Sequence, residues 1–266
     1  QDVGARFYTY ISTMHYLMEA CAETNVSFLV LDRPNPNGFY VDGPVLNEKF
    51  KSFVGMHPVP IVHGMTIGEY AQMINGEGWL KDGVKCQLEV VKAKGYYHNM
   101  RYKPPIKPSP NLPNILSIYL YPSLCLFEGT NISVGRGTNY PFQIIGSPEI
   151  PESEFYFIPK SMEGAKNPKH EEEKCYGLDL TELTVQYFIN KRAINLDWLV
   201  SFYKKYQGDK DDFFTSYFDK LAGTDKLRMQ IESGESVQNI KKSWQIDLEK
   251  FLVMRRNYLL YNDFNF

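Results

Sequence analysis

No apolar run in the 266 residues approaches the ~18 needed to cross a bilayer, so the chain carries no membrane span of its own. Charge of one sign is also missing: 29 Lys and Arg stand against 31 Asp and Glu, leaving −2. Without a basic excess there is no reservoir of counterion release, which argues against nucleic acid as a partner. The four cysteines (Cys21, Cys86, Cys125, Cys175) form no CxxC pair and share no metal-ligand spacing with the five histidines, so no metal site is expected. Cys21 and Cys125 sit in apolar stretches and read as buried thiols. Gly135-Arg136-Gly137 lacks the Lys-Ser/Thr ending of a phosphate-binding loop, and no Gly-x-Ser-x-Gly elbow or Cys–His pair offers a nucleophile. The chain opens Gln1-Asp2-Val3-Gly4, without an initiator Met, a signal peptide or a lipidation motif. What is abundant is aromatic: 3 Trp, 19 Tyr and 17 Phe make up 15%. Most belong in a core, and some Tyr rings, apolar on the face and polar at the tip, suit stacking on a sugar.

Phe7, Ile11, Met14, Met18 and Cys21 recur at helical spacing and predict a helix over 5–23. The continuous apolar run from Val26 to Leu31 then predicts a strand buried on both faces, as in a parallel sheet. A helix ahead of such a strand is normally a crossover from an earlier strand, and none precedes it here. The expectation is therefore a chain that enters partway through an α/β domain. Thr66 and Glu69 have the spacing of a capping box for a helix to Asn75, and Cys86 to Lys92 alternates as a strand.

Five prolines between 103 and 114 form either a linker or a loop laid over one domain. Asn114 to Phe127 reads as a helix interrupted at Pro122, followed by a glycine-containing loop from Glu128 to Thr138. Short strands are expected at 142–145, 155–158 and 177–180. Helices are expected around Leu196–Tyr206 and from a Ser236 cap through Leu259. His170-Glu-Glu-Glu-Lys174 reads as a solvated charge run. The fold class that follows is α/β, with the proline-rich stretch as the candidate boundary between two parts.

Three polar loops concentrate Asp, Arg, Asn, His and Glu beside glycine: 32–38, 53–64 with His57 and His63, and 128–138. The first leaves the carboxyl end of a buried strand, where open α/β sheets place their ligands. These groups suit hydroxyls, an acetamido group or a carboxylate, onto which Arg can fork. Each histidine can equally be a hydrogen-bonded loop residue. Glu128 is either a helix-terminal carboxylate held by nearby amides or an acid/base group at a cleft. From the residues alone the reading stops at a polar cleft for carbohydrate or carboxylate.

Seven ordered motifs sharpen it: Asp-Val-Gly-Ala-Arg-Phe-Tyr-Thr-Tyr (2–10), Leu-Asp-Arg-Pro-Asn-Pro-Asn-Gly (31–38), Val-Asp-Gly-Pro (41–44), Phe-Val-Gly-Met-His-Pro-Val-Pro-Ile-Val-His-Gly-Met-Thr (53–66), Pro-Ser-Pro-Asn-Leu-Pro-Asn (108–114), Phe-Glu-Gly-Thr-Asn-Ile-Ser-Val-Gly-Arg-Gly-Thr (127–138) and Leu-Ala-Gly-Thr-Asp (221–225). Together they resemble the exo-β-N-acetylmuramidases of the NamZ type over essentially the whole chain, which implies the C-terminal part of a Rossmann-like catalytic domain over 1–105 and an α+β auxiliary domain over 106–266. The resemblance implies a bacterial, exported glycosidase, periplasmic or secreted, with or without a lipid anchor. It would remove N-acetylmuramic acid from the non-reducing end of peptidoglycan fragments and need no cofactor. Its partners would be peptidoglycan-derived muro-saccharides. The resemblance also implies a catalytic glutamate in a Pro-Glu-His-Gly-type motif ahead of the first motif, which this sequence does not contain. On that frame Glu128 is the expected second carboxylate or the group that orients the acetamide. Arg6, Arg33 or Arg136 would bind the lactyl carboxylate, and Asp32, Asn35, Asp42, His63 and Asn131 are the candidate sugar ligands. The competing class is a non-catalytic glycan- or cell-wall-binding module that keeps the cleft.

Overall fold

The computed structural model describes residues 1–264. The chain divides into two compact units: one built from Gln1–Lys103 together with the chain from Trp244 onward, the other from Pro104–Ser243. These compact units differ from the expected division into 1–105 and 106–266 at the far end, where the chain returns to the first unit. The physical reason is Phe251, which joins the core of the first unit, and Arg255, which is anchored there.

In the first unit, α1 (Tyr10–Glu23) and α2 (Ile67–Gly76) cover a parallel pair, β1 (Phe28–Leu31) and β2 (Leu88–Val91), with Phe28 opposite Leu88. Ile11, Met14 and Met18 turn the stripe of α1 onto Val30, Met73 and Phe251. Each fully buried methionine contributes about 1.5–3 kcal/mol of transfer free energy. The helix expected from residue 5 starts at Tyr10 instead. Residues 5–9 are drawn into the loop layer, where Ala5 bridges to Val62, and Thr9 adopts a left-handed φ of 33°. The strand expected to be buried on both faces is buried on one: Val30 is inside, while Leu29 and Leu31 are 53% and 67% exposed.

Thr66 forms the expected capping box. Its hydroxyl accepts from the Glu69 N–H, and Glu69 accepts from the Thr66 N–H. At Gly68, in the first turn of α2, a Cβ would lie 2.6 Å from Val90 and 2.7 Å from Asp32, so only glycine lets the helix sit this close to the strands. The last helix, Gln245–Arg256, carries Arg255 fully buried. Its guanidinium donates to the Gly64 carbonyl at 2.6 and 3.2 Å and to Asp263 at 2.7 and 2.8 Å.

The second unit opens with α3 (Ile115–Leu124), capped by Asn114 and carrying Pro122 internally, and continues into a 3-10 turn over Cys125–Gly129. A three-stranded antiparallel sheet has the order β3 (Ile144–Ser147), β5 (Cys175–Asp179), β4 (Tyr156–Phe157). Five short helices follow: α4 (Val185–Lys191), α5 (Asp197–Lys205), α6 (Phe218–Ala222), α7 (Lys226–Glu232) and α8 (Val237–Lys242). Phe127 packs edge-on to Phe202, and Phe213, Phe214 and Phe218 form an aromatic chain beside them. Gly129 is required here, because a Cβ would meet the Phe218 backbone at 2.4 Å. The single helix expected from 236 to 259 is two helices, broken at Ser243-Trp244 where the chain leaves one unit for the other.

Candidate functional site

The loops of the first unit use their polar side chains on one another. Asp32, at the end of β1, accepts from the Arg33 N–H (2.9 Å), the Gly68 N–H (2.8 Å), the Thr66 hydroxyl (2.7 Å) and the Tyr261 hydroxyl (2.6 Å). Burial raises its pKa, and these four donors oppose that shift. Asn35 donates to the Met65 carbonyl and accepts from the Asn37 N–H, at 2.9 and 2.8 Å. Asp42 accepts from the Gly43 N–H and from the Trp244 indole, at 2.7 and 3.2 Å.

Arg6 is fully buried and donates to the carbonyls of Pro44 (2.9 Å) and Val59 (2.7 Å). Desolvation brings its pKa down to about 10. His63 is fully buried as well, its Nδ1 accepting from the Met65 N–H at 3.2 Å, while Nε2 has no hydrogen-bond partner. Burial, reinforced by the charges of Arg255 and Arg6, lowers its pKa to about 3, so the ring is neutral. Of the six candidates in this unit, Arg33 alone is exposed, on the rim of an apolar groove with Leu29, Leu31 and Leu17. Asp32, Asn35, Asp42, Arg6 and His63 are inside and committed to the scaffold.

In the second unit, a cavity of about 300 Å³ is lined by Glu128, Ser133, Arg136, Asn167 and Lys169 among others. That lies at the lower end of the ~300–1,000 Å³ common for small-molecule sites. The 3-10 turn after α3 brings Glu128 to this cavity with its side chain 24% exposed. Gly135 and Gly137, with φ of 75° and 81°, fold the following loop so that Arg136 reaches back to it. Arg136 Nε donates to Glu128 Oε1 at 2.8 Å, and the guanidinium lies 5.1 Å from the Phe142 ring centre. On the far side of the carboxylate, the Cys125 thiol donates to Oε2 at 3.5 Å. Burial, the Glu128 charge second, pushes that thiol well above its ordinary pKa.

Lys169 donates through Nζ to the Thr130 carbonyl and, at 3.4 Å, to the Ile132 carbonyl. Burial lowers its pKa to about 8 against the pull of Glu128. Asn131 lies outside this lining and is spent on the Tyr206 hydroxyl at 2.6 Å. The structure therefore brings together Glu128 and Arg136 and adds Lys169, which the sequence reading passed over. Its only signal was position, one residue before the charge run. That run is exposed over Glu171–Lys174, whereas His170 turns inward to the Asn131 carbonyl at 2.9 Å.

All four cysteines are free thiols; Cys125 is buried as expected, and Cys21 is half-buried. Among the described residues, no group of three or more His, Cys, Asp or Glu side chains is placed to hold a metal ion. No helix among them is long and apolar enough to cross a membrane.

Two family models divide the chain near the first boundary between the units, and the second runs on through the last helix. The model of the N-terminal part of exo-beta-N-acetylmuramidase NamZ matches residues 1–116, and that of its C-terminal part matches 119–261. The peptidoglycan beta-N-acetylmuramidase NamZ of Bacillus subtilis (strain 168) is 40% identical over 277 residues, covering 98% of this chain. The chain spans 66% of that relative's length. Two DUF1343 family proteins of Bacteroides fragilis NCTC 9343, known from crystal structures, share the fold. One is 51% identical with a TM-score of 0.96, over 99% of this chain and 74% of its own. The other is 27% identical with a TM-score of 0.75, over 98% and 73%. A mixed α/β chain with a small parallel sheet, matched end to end in this way, belongs to the exo-beta-N-acetylmuramidase NamZ family.

Proposed function

We propose that the protein is a glycoside hydrolase that releases N-acetylmuramic acid from the non-reducing end of peptidoglycan fragments, in cell-wall turnover. The observation that carries this reading on the chain itself is Glu128, a partly exposed carboxylate fixed by Arg136 on a polar cavity. Glycosidic cleavage needs a proton on the leaving oxygen and assistance at the anomeric carbon. An N-acetyl sugar can supply the second from its own acetamido oxygen, as substrate-assisted glycosidases do. Glu128 takes the role of second carboxylate, acting at the anomeric centre or orienting the acetamide. The family resemblance assigns the proton donor to a glutamate of a motif outside this sequence. The parallel pair β1–β2 with α1 and α2 supports reading the first unit as part of a Rossmann-like domain. A substrate in the cell wall implies a periplasmic or secreted enzyme.

The test is Glu128→Gln in the intact protein, assayed on a chromogenic β-N-acetylmuramide. Loss of kcat by about 10²-fold or more is the expected outcome. Turnover near wild type would remove Glu128 from the chemistry. Binding of the sugar by the wild type with no turnover at all would favour the glycan-binding module instead.

A further inference from the structure

The cavity of the second unit is electrically unbalanced. Among the side chains that line it, one carboxylate, Glu128, faces two cations, Arg136 and Lys169. Lys169 is the more unusual of the two. A half-buried ammonium normally sits against a carboxylate, because desolvating a charge is costly unless it is paired. Lys169 forms no ion pair among the described residues and is held only by the Thr130 and Ile132 carbonyls. An ammonium has three N–H donors, and two acceptors leave one donor to serve. Arg136 is in the same position. Its Nε is spent on Glu128, while Nη1 and Nη2 carry no hydrogen bond among the described residues, and the side chain is 35% exposed.

We propose that Arg136 and Lys169 together form a subsite for one carboxylate on a sugar ligand, with Lys169 the residue that makes the site selective for the acid over its neutral analogues. A single bound carboxylate brings the three charged groups to balance. Its two oxygens can take the free edge of the guanidinium and the third ammonium donor, the charge-assisted geometry that favours carboxylate over a hydroxyl or an amide. Glu128 fills the opposite role. It occupies the Nε edge, so the incoming group is directed to the terminal nitrogens, and it leaves net charge for only one anion. Identifying that carboxylate as the lactyl group of muramic acid rests on the function proposed above; the monoanion subsite rests on the cavity alone.

The experiment measures binding of N-acetylmuramic acid, its lactyl amide, N-acetylglucosamine and inorganic phosphate to the intact protein by titration calorimetry. Lys169→Gln and Lys169→Arg variants are measured alongside. The wild type is expected to prefer the acid over its amide by about tenfold or more, the size of a hydrogen bond to a charged group. Lys169→Gln should lose that preference while binding the amide as before, and Lys169→Arg should keep most of it. Because Lys169 also braces two carbonyls, an independent measurement needs no variant. Beside Glu128 and Arg136 on this cavity, burial holds the Lys169 ammonium at about 8 and pushes the Cys125 thiol far higher, so raising the pH through about 8 should weaken binding of the acid and leave the amide unchanged.

Equal affinity of the wild type for acid and amide would overturn the subsite. So would a Lys169→Gln protein that keeps the full preference, or phosphate competing as well as the sugar acid. Acid selectivity that depends on Lys169 in a protein without muramidase turnover would uphold the subsite and overturn the proposed activity. Turnover with no dependence on Lys169 would do the reverse.

Discussion

Arg6 belongs to a motif of the family and carries a group suited to a carboxylate, and its burial directs that group elsewhere. With no exposed surface, and with the Pro44 and Val59 carbonyls on one terminal nitrogen, it holds two loops of the first unit together. Removing it leaves buried carbonyls without a donor. Arg6→Met is therefore expected to lose roughly 3 kcal/mol of stability, measured by urea unfolding. A variant of wild-type stability that had lost affinity for the sugar acid would return Arg6 to the binding site. Residue identity in the polar loops was legible in the sequence, but which loop faces solvent was not. Asp32, Asn35 and His63 have the composition of a ligand site, and only their partners, Tyr261, Met65 and neighbouring backbone, reveal a scaffold. Lys169 is the converse, a plain residue whose surroundings make it notable.

At the scale of elements, local chemistry was the most readable layer. The Thr66–Glu69 spacing announces the start of α2, and both reciprocal bonds are made. Because the Thr66 hydroxyl also donates to Asp32 at 2.7 Å, Thr66→Ala should cost more than an ordinary cap, about 2 kcal/mol or above. Ser236→Ala, at the exposed start of α8, should cost about 1 kcal/mol or less, both variants being measured by urea unfolding. Equal costs would show that the link to Asp32 contributes nothing. What the pattern could not convey was where an element meets its surroundings. An apolar run such as Val26 to Leu31 has the same appearance whether one face or two are covered. The apolar spacing of 237–259 likewise passes through Ser243-Trp244 without marking the break.

For the whole molecule, the histidines of the first unit govern the response to acid. Burial lowers the pKa of His57 and of His63 to about 3 and lowers that of His15 as well. In the unfolded chain these rings take up protons near pH 6.5, so between about pH 6.5 and 3 the unfolded state binds more protons and stability falls as pH falls. Asp2, raised to about 6 by burial, and Asp32, also raised, act in the opposite sense, since their native forms bind protons first. Three rings outweigh the two carboxylates over that range. The free energy of unfolding obtained from urea titrations should therefore decline from pH 6.5 to 4, by on the order of 1 kcal/mol per pH unit. A flat or rising profile would contradict the neutral buried rings.

The return of the chain to its first unit has a consequence in time. Pro104–Ser243 is an uninterrupted stretch that emerges from the ribosome whole, whereas the unit it interrupts must wait for Trp244 and the helix after it. Domains usually complete in the order they are synthesised. Here that order is inverted: the unit that begins first finishes last. Its half-built form, with Met18 and Val30 awaiting Phe251 and the Gly64 carbonyl awaiting Arg255, is the species in which a nascent chain would most need a chaperone.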